Sequence, residues 1–96
     1  MIGVIATLKI KDGTAEAFEA AFRTLSAAVR ANEPGNHCYQ LTRSKSDPLT
    51  YKVLEIYADA DALKAHGESA HFKAAGPALG ASLNGRPDVE YLDGVI

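Results

Sequence analysis

Residues 36–44, NHCYQLTRS, and residues 50–57, TYKVLEIY, joined through Ser46-Asp47-Pro48-Leu49, are the stretch on which the fold turns. The two runs flank an Asp-Pro pair, which is a turn signal, so together they predict a β-hairpin. In the second run Tyr51, Val53, Glu55 and Tyr57 share one face, opposite Leu54 and Ile56, because successive strand side chains point to opposite sides.

The flanks of the hairpin set the fold class. On its N-terminal side Pro34-Gly35 stops a helix that begins near Thr14, with Phe18, Phe22, Leu25 and Val29 on one stripe. Thr14 is a good N-cap residue, and Glu16 and Glu19 follow where the helix dipole favours acids. Before the helix, Ile2 to Ile10 alternates as a strand. On the C-terminal side Asp59 can cap a short helix through Leu63 and His66 that ends at Gly67. Ser69 can cap another, carrying Phe72, Ala75, Leu79 and Leu83 on one face, which Gly76-Pro77 should kink or split. After the turn Gly85-Arg86-Pro87, Asp88 to Ile96 reads as a last strand. Strand, helix, strand, strand, helical segment, strand is the split βαβ order of a ferredoxin-like sandwich, an α+β fold whose helices cover one face of an antiparallel sheet. A single domain over residues 1–96 is expected, since so short a chain leaves no room for a second.

The first and third strands offer apolar residues to both sides, whereas the open face of a monomeric sheet should be polar. The expected cover is a second copy of the chain, packed sheet to sheet with two-fold symmetry over Val4, Leu8, Leu54 and Ile56.

Composition removes several functional classes. Hydrophobic residues make up 47% and charged residues 23%, too apolar for disorder. Ten Lys and Arg against twelve Asp and Glu give a net charge of −2 with no basic stripe, which argues against nucleic acid and anionic membranes. No apolar run approaches the roughly 20 residues of a spanning helix, and Met1-Ile2-Gly3 opens as strand rather than as a signal peptide. Cys38 is the only cysteine, and no Cys pair or close-spaced His pair suggests zinc, so a cytoplasmic protein without metal is expected.

Phosphate loops, nucleophile elbows and metal-binding helices are all missing, so chemistry falls to ordinary side chains. His37 reads as solvent-facing. His66 and His71 straddle Gly67 at the junction of two helical segments. His66 falls in a last turn, where carbonyl dipoles favour the cation, and His71 in a first turn, where amides favour the neutral ring. Glu55 is central on an interior strand, and a buried carboxylate needs a partner: Arg43, Lys45 or Thr7, or else a histidine or ligand hydroxyl that it orients.

Glu33-Pro34-Gly35 leading to Tyr39, then Glu55-Ile56-Tyr57-Ala58-Asp59, Ala62-Leu63-x-x-His66 and Ser69-Ala70-His71-Phe72, closely resembles the antibiotic biosynthesis monooxygenase domain over nearly the whole chain. The resemblance implies a dimeric α+β barrel. It also implies a choice among branches. Haem-degrading members, which this chain resembles through Phe72-Lys73-Ala74-Ala75, carry a histidine at Gly76, a Trp at His66 and an Asn near Thr7, so haem is not expected. Anthrone oxygenases carry an Asn and a Trp at the positions of Val53 and Tyr57. Quinol-monooxygenase-like members keep Glu55, His66 and His71, usually with Trp at 57; a sugar-phosphate isomerase branch keeps both histidines, has Tyr at 57, and shares the tail Ser82-Leu83-Asn84-Gly85 to Leu92-Asp93-Gly94.

The expectation is a dimer that oxygenates a small quinol or phenol with molecular oxygen and no cofactor. His71 is the base, His66 the anion stabiliser and Glu55 the orienting carboxylate, with Tyr57, Val53, Thr7, Leu63 and Phe72 lining the substrate pocket. The alternatives are a keto-sugar isomerase, with Arg86 or Lys64 holding a phosphate, and a non-catalytic ligand-binding dimer.

Overall fold

The computed structural model describes all 96 residues. Four strands, β1 (Ile2–Lys9), β2 (Asn36–Arg43), β3 (Thr50–Tyr57) and β4 (Asp88–Asp93), form one antiparallel sheet in the order β2-β3-β1-β4. Three helices, α1 (Ala15–Asn32), α2 (Ala60–Glu68) and α3 (Ala70–Ser82), complete the ferredoxin-like α+β fold that the element order predicts. No helix is long and apolar enough to cross a membrane.

The hairpin turn forms as its sequence suggests. The Asp47 carboxylate accepts from Leu49 N (3.0 Å) and from the Thr50 hydroxyl (2.7 Å), and these two bonds hold that carboxyl below its usual range. Along α1 the stripe of Phe18, Phe22, Leu25 and Val29 is buried against Leu8, Tyr39, Tyr51 and Val53. Tyr51 donates from its hydroxyl to Glu19 Oε2, fastening β3 to α1 at the far end of the sheet.

Five sequence expectations need correction. Thr14 takes the N-cap position of α1, as expected, but its side chain makes no capping bond; its hydroxyl donates to the Lys11 carbonyl instead (2.6 Å), stabilising the turn before the helix. α2 runs one residue past Gly67, to Glu68. Pro77 neither splits nor ends α3, which is continuous: Gly76 before it has no Cβ for the ring to crowd, and the segment is exposed, so water can serve the carbonyl that proline leaves unpaired. β4 stops at Asp93; Gly94 N bonds to the carbonyl of Met1, just before β1, and Val95 and Ile96 are left fully exposed.

The fifth concerns the open face of the sheet. Val4 pairs with Glu55 and Leu8 with Tyr51, so Val4 and Leu8 point toward the helices and are buried there. The opposite face carries Ile5 beside Leu54, and Ile56 and Leu92 flanking Gly3. That face is still partly apolar, but Ile5 and Leu92 stand where Val4 and Leu8 were expected.

Candidate functional site

Three chain segments converge at the end of the helical layer. Ser69 ends α2 and starts α3 with one hydroxyl, donating to the His66 carbonyl (2.7 Å) and accepting from Phe72 N (3.2 Å). This fixes His66 in the last turn of α2 and His71 in the first turn of α3, as the spacing predicts. The third segment is the turn after α1. Asn36 N bonds to the Glu33 carbonyl and Ala58 N to the Gly35 carbonyl, and Gly35 lies so close to α2 that a Cβ there would sit 2.6 Å from Ala62 Cβ. Glycine thereby lets the turn approach α2 and bring the Glu33 side chain between the two histidines.

Glu33 Oε2 lies 2.9 Å from His66 Nδ1 and 2.5 Å from His71 Nε2. An ionised carboxylate only accepts hydrogen bonds, so both of these ring nitrogens carry a hydrogen, and a neutral His66 then keeps its lone pair on Nε2. The rings of Tyr39, Tyr57 and Phe72 surround the imidazole of His66, with centroids 4.8–5.5 Å away. On the other side stands Glu55, which accepts from the Tyr57 hydroxyl at 2.6 Å. Burial pushes the Glu55 carboxyl above its usual range, opposed by the Tyr57 bond and by His66 and reinforced by Glu33. Burial, with the neighbouring carboxylates Glu55 and Glu33, also pushes the phenols of Tyr39 and Tyr57 well up, so both are neutral donors.

A cavity of about 510 Å³ opens between the sheet and the helices, and 14 of its 22 lining residues are hydrophobic. Of the residues named as pocket lining from the sequence, Val53, Leu63 and Phe72 line it, along with Val4, Ala6, Leu79, Val89 and Tyr91. Its buried polar groups are Tyr39, Glu55 and His66, while Lys64 and Glu68 stand exposed at the rim. The register sets the remaining sequence-predicted residues apart. Tyr57 lies buried behind Glu55, and His71 stands across Glu33 from His66; neither lines the cavity. Thr7, between the cavity-lining Ala6 and Leu8, points to the open face of the sheet. Glu55 pairs with Val4 and Tyr39, leaving Arg43, Lys45 and Thr7 out of its reach and Tyr57 as its partner. His37, left unpaired at a bulge in β2, is exposed as expected.

Glu33 is the residue to which the sequence reading gave no role. The available signal was electrostatic: a carboxylate at the C-terminal end of a helix faces carbonyl dipoles that favour a cation, so its place there needs another explanation.

Comparison with known proteins follows the same outline. The profile of the family described as antibiotic biosynthesis monooxygenase matches residues 1–78. The chain is 36% identical over 73 residues, 76% of each protein, to the Bacillus subtilis protein named “Putative monooxygenase YcnE”. Among solved structures, a “putative antibiotic biosynthesis monooxygenase” from Caulobacter crescentus CB15 superposes with a TM-score of 0.96 at 56% identity, covering 99% of this chain and 90% of the other. PA3566 from Pseudomonas aeruginosa gives a TM-score of 0.87 at 28% identity, covering 99% and 94%.

Proposed function

The chain belongs to the antibiotic biosynthesis monooxygenase family, and from that premise we propose that it is a cofactor-independent monooxygenase of a small quinol or phenol held in the cavity between sheet and helices. The observation that carries this reading is the Glu33–His66 pair, which sets a buried imidazole at the polar end of an otherwise apolar cavity.

In the proposed reaction a hydroxyl of the substrate meets His66 Nε2. Glu33 holds the opposite nitrogen as a donor, so Nε2 accepts the proton and the resulting imidazolium is stabilised by the carboxylate behind it. The substrate anion passes one electron to oxygen, and the two radicals combine to form a carbon–oxygen bond at a neighbouring ring carbon. The peroxide then loses water, taking the hydrogen of that carbon, so quinol and oxygen become hydroxyquinone and water. All the electrons come from the substrate. His66 is both base and subsequent anion stabiliser; His71 does not touch the cavity and is a positioning residue that acts through Glu33. Glu55 and Tyr39 orient the hydroxyl.

The apolar walls favour a flat aromatic over a keto-sugar, which would leave its hydroxyls unpaired. The proposal extends to a homodimer. The chain exposes 6120 Å², against about 5300 Å² for a monomeric protein of 10.2 kDa. The chain thus exposes more surface than a compact monomer of its mass. Ile5, Leu54, Ile56 and Leu92 provide the apolar face for it.

The test is oxygen consumption with benzohydroquinone and naphthohydroquinone, corrected for autoxidation, under isotopically heavy oxygen. One heavy oxygen atom per product and loss of the activity in His66→Ala are expected. Oxygen-independent turnover of a phosphorylated keto-sugar, with none of the quinols, would select the isomerase, and saturable quinol binding without turnover would select a ligand-binding dimer.

A further inference from the structure

We propose that Glu33, His66 and His71 form a binding site for one divalent transition-metal ion, on the side of His66 that faces away from the cavity. Their donor atoms all lie within 4.8 Å of one another. The donors come from three different segments, the end of α1, the last turn of α2 and the first turn of α3, tied together by Ser69 and by the close approach of Gly35 to α2. Two imidazoles and one carboxylate are a set that zinc accepts with a fourth position left for water, and imidazole suits zinc, cobalt, nickel and iron where it does not suit magnesium or calcium.

Charge supports the same conclusion. Glu33 and Glu55 are both largely buried beside His66, and the only ion-pair partners of Glu33 are the two imidazoles; neither carboxylate is paired with a lysine or arginine. A dication at Glu33 would supply the positive charge that this pair of carboxylates lacks. Metal–ligand distances of about 2.0–2.2 Å would hold the donors roughly 3.3–3.5 Å apart, so an ion needs only a modest adjustment of the His71 side chain. That side chain is 17% exposed and provides the path of access.

Binding also has a chemical consequence for His66. An ion on Nδ1 uses the lone pair there, so the hydrogen of a neutral ring moves to Nε2, and the cavity-facing edge changes from acceptor to donor. In the oxygenase reading this would switch off the base and make zinc an inhibitor. That consequence rests on the reading; the binding itself does not, and it is measured on the protein alone.

The experiment titrates metal-depleted full-length protein with zinc and with cobalt, followed by calorimetry, cobalt absorption and nitrogen NMR of the histidine rings. The expected result is one ion per chain with micromolar or tighter affinity, a four-coordinate cobalt spectrum, and metal-induced shifts at His66 Nδ1 and His71 Nε2 with the hydrogen on His66 Nε2. His71→Ala and Glu33→Gln should each weaken binding by at least about 10–100-fold, the loss typical of even an outer-shell partner, while His37→Ala leaves it unchanged. Unshifted His66 and His71 rings at saturating metal would overturn the proposal, as would affinity that survives both cluster substitutions. The ring spectra of the unsubstituted protein decide the question even if a variant fails to fold.

Discussion

One half of the sheet is closed and the other is open. Beneath α1, strands β2 and β3 bury Tyr39, Tyr51 and Val53 against Phe18, Phe22, Leu25 and Val29. Toward β4 the same layer loosens: every residue of that strand is exposed, Val89 at 41% and Tyr91 at 65%, and Ser82 is the only buried residue of α3. The cavity occupies this loose side, with the packed stripe of α1 as one of its walls. Stability therefore concentrates where α1 meets the hairpin, and the cavity opens where it does not.

The comparison is sharpest in large-to-small substitutions. Phe18→Ala should cost about 3–5 kcal/mol by removing a fully buried ring. Val89→Ala, on the exposed edge, should stay within about 0.5 kcal/mol. Urea unfolding of both variants checks this, and equal losses would break the distinction between the halves.

Next in size is the face away from the helices. Ile56→Asp should turn a dimer into a monomer in sedimentation, because a charge between two sheets has no partner; stranding a buried charge costs about 3–5 kcal/mol. A native mass that is already monomeric, or one unmoved by the substitution, would contradict the proposed interface.

A smaller effect tests how the Glu33 turn is held against α2. Gly35→Ala should cost about 1–3 kcal/mol by overpacking against Ala62, and should pull Glu33 away from His66. Ala62→Gly removes the colliding methyl group, so in the double variant the Gly35→Ala penalty should shrink by about 1 kcal/mol or more. Additive losses would mean that the contact does not set the turn.

The smallest expected effect is a pH dependence. The Glu55 carboxyl is raised in the folded protein, chiefly by burial, so the folded state binds its proton more tightly than the unfolded chain does. Its contribution is fully present below the ordinary glutamate range and is lost as pH rises through the raised value. Glu55→Gln, which can still accept from Tyr57, should therefore melt higher than the parent at neutral pH, and the gap should close toward pH 4. A gap that widens on acidification would reverse the assignment.

Much of the fold was legible because periodicity and caps report locally. The Asp59 and Ser69 caps, the hairpin turn and the α1 stripe all follow from residues within a few positions of one another. What escaped depends on partners distant in sequence. Which face of β1 is covered follows from its register with β3, and the wrong face was assigned to Val4 and Leu8 for that reason. Glu33 reaches His66 across 33 residues and His71 across 38, beyond any spacing rule, and only the Gly35 approach to α2 joins them. Glu55 was recognisable as a carboxylate on an interior strand, but its partner Tyr57 follows from that same-face position only once the competing residues are placed.

The central claim, that the loose half is the ligand site, is tested most directly by methyl NMR with naphthohydroquinone added under nitrogen, where binding occurs without turnover. The account predicts saturable shifts at Val53, Leu63, Leu79 and Val89, which line the cavity, and none at Val29 and Ile10, which are buried outside it. Shifts that never saturate, or that centre on Ile5, Leu54 and Ile56 on the opposite face, would contradict it.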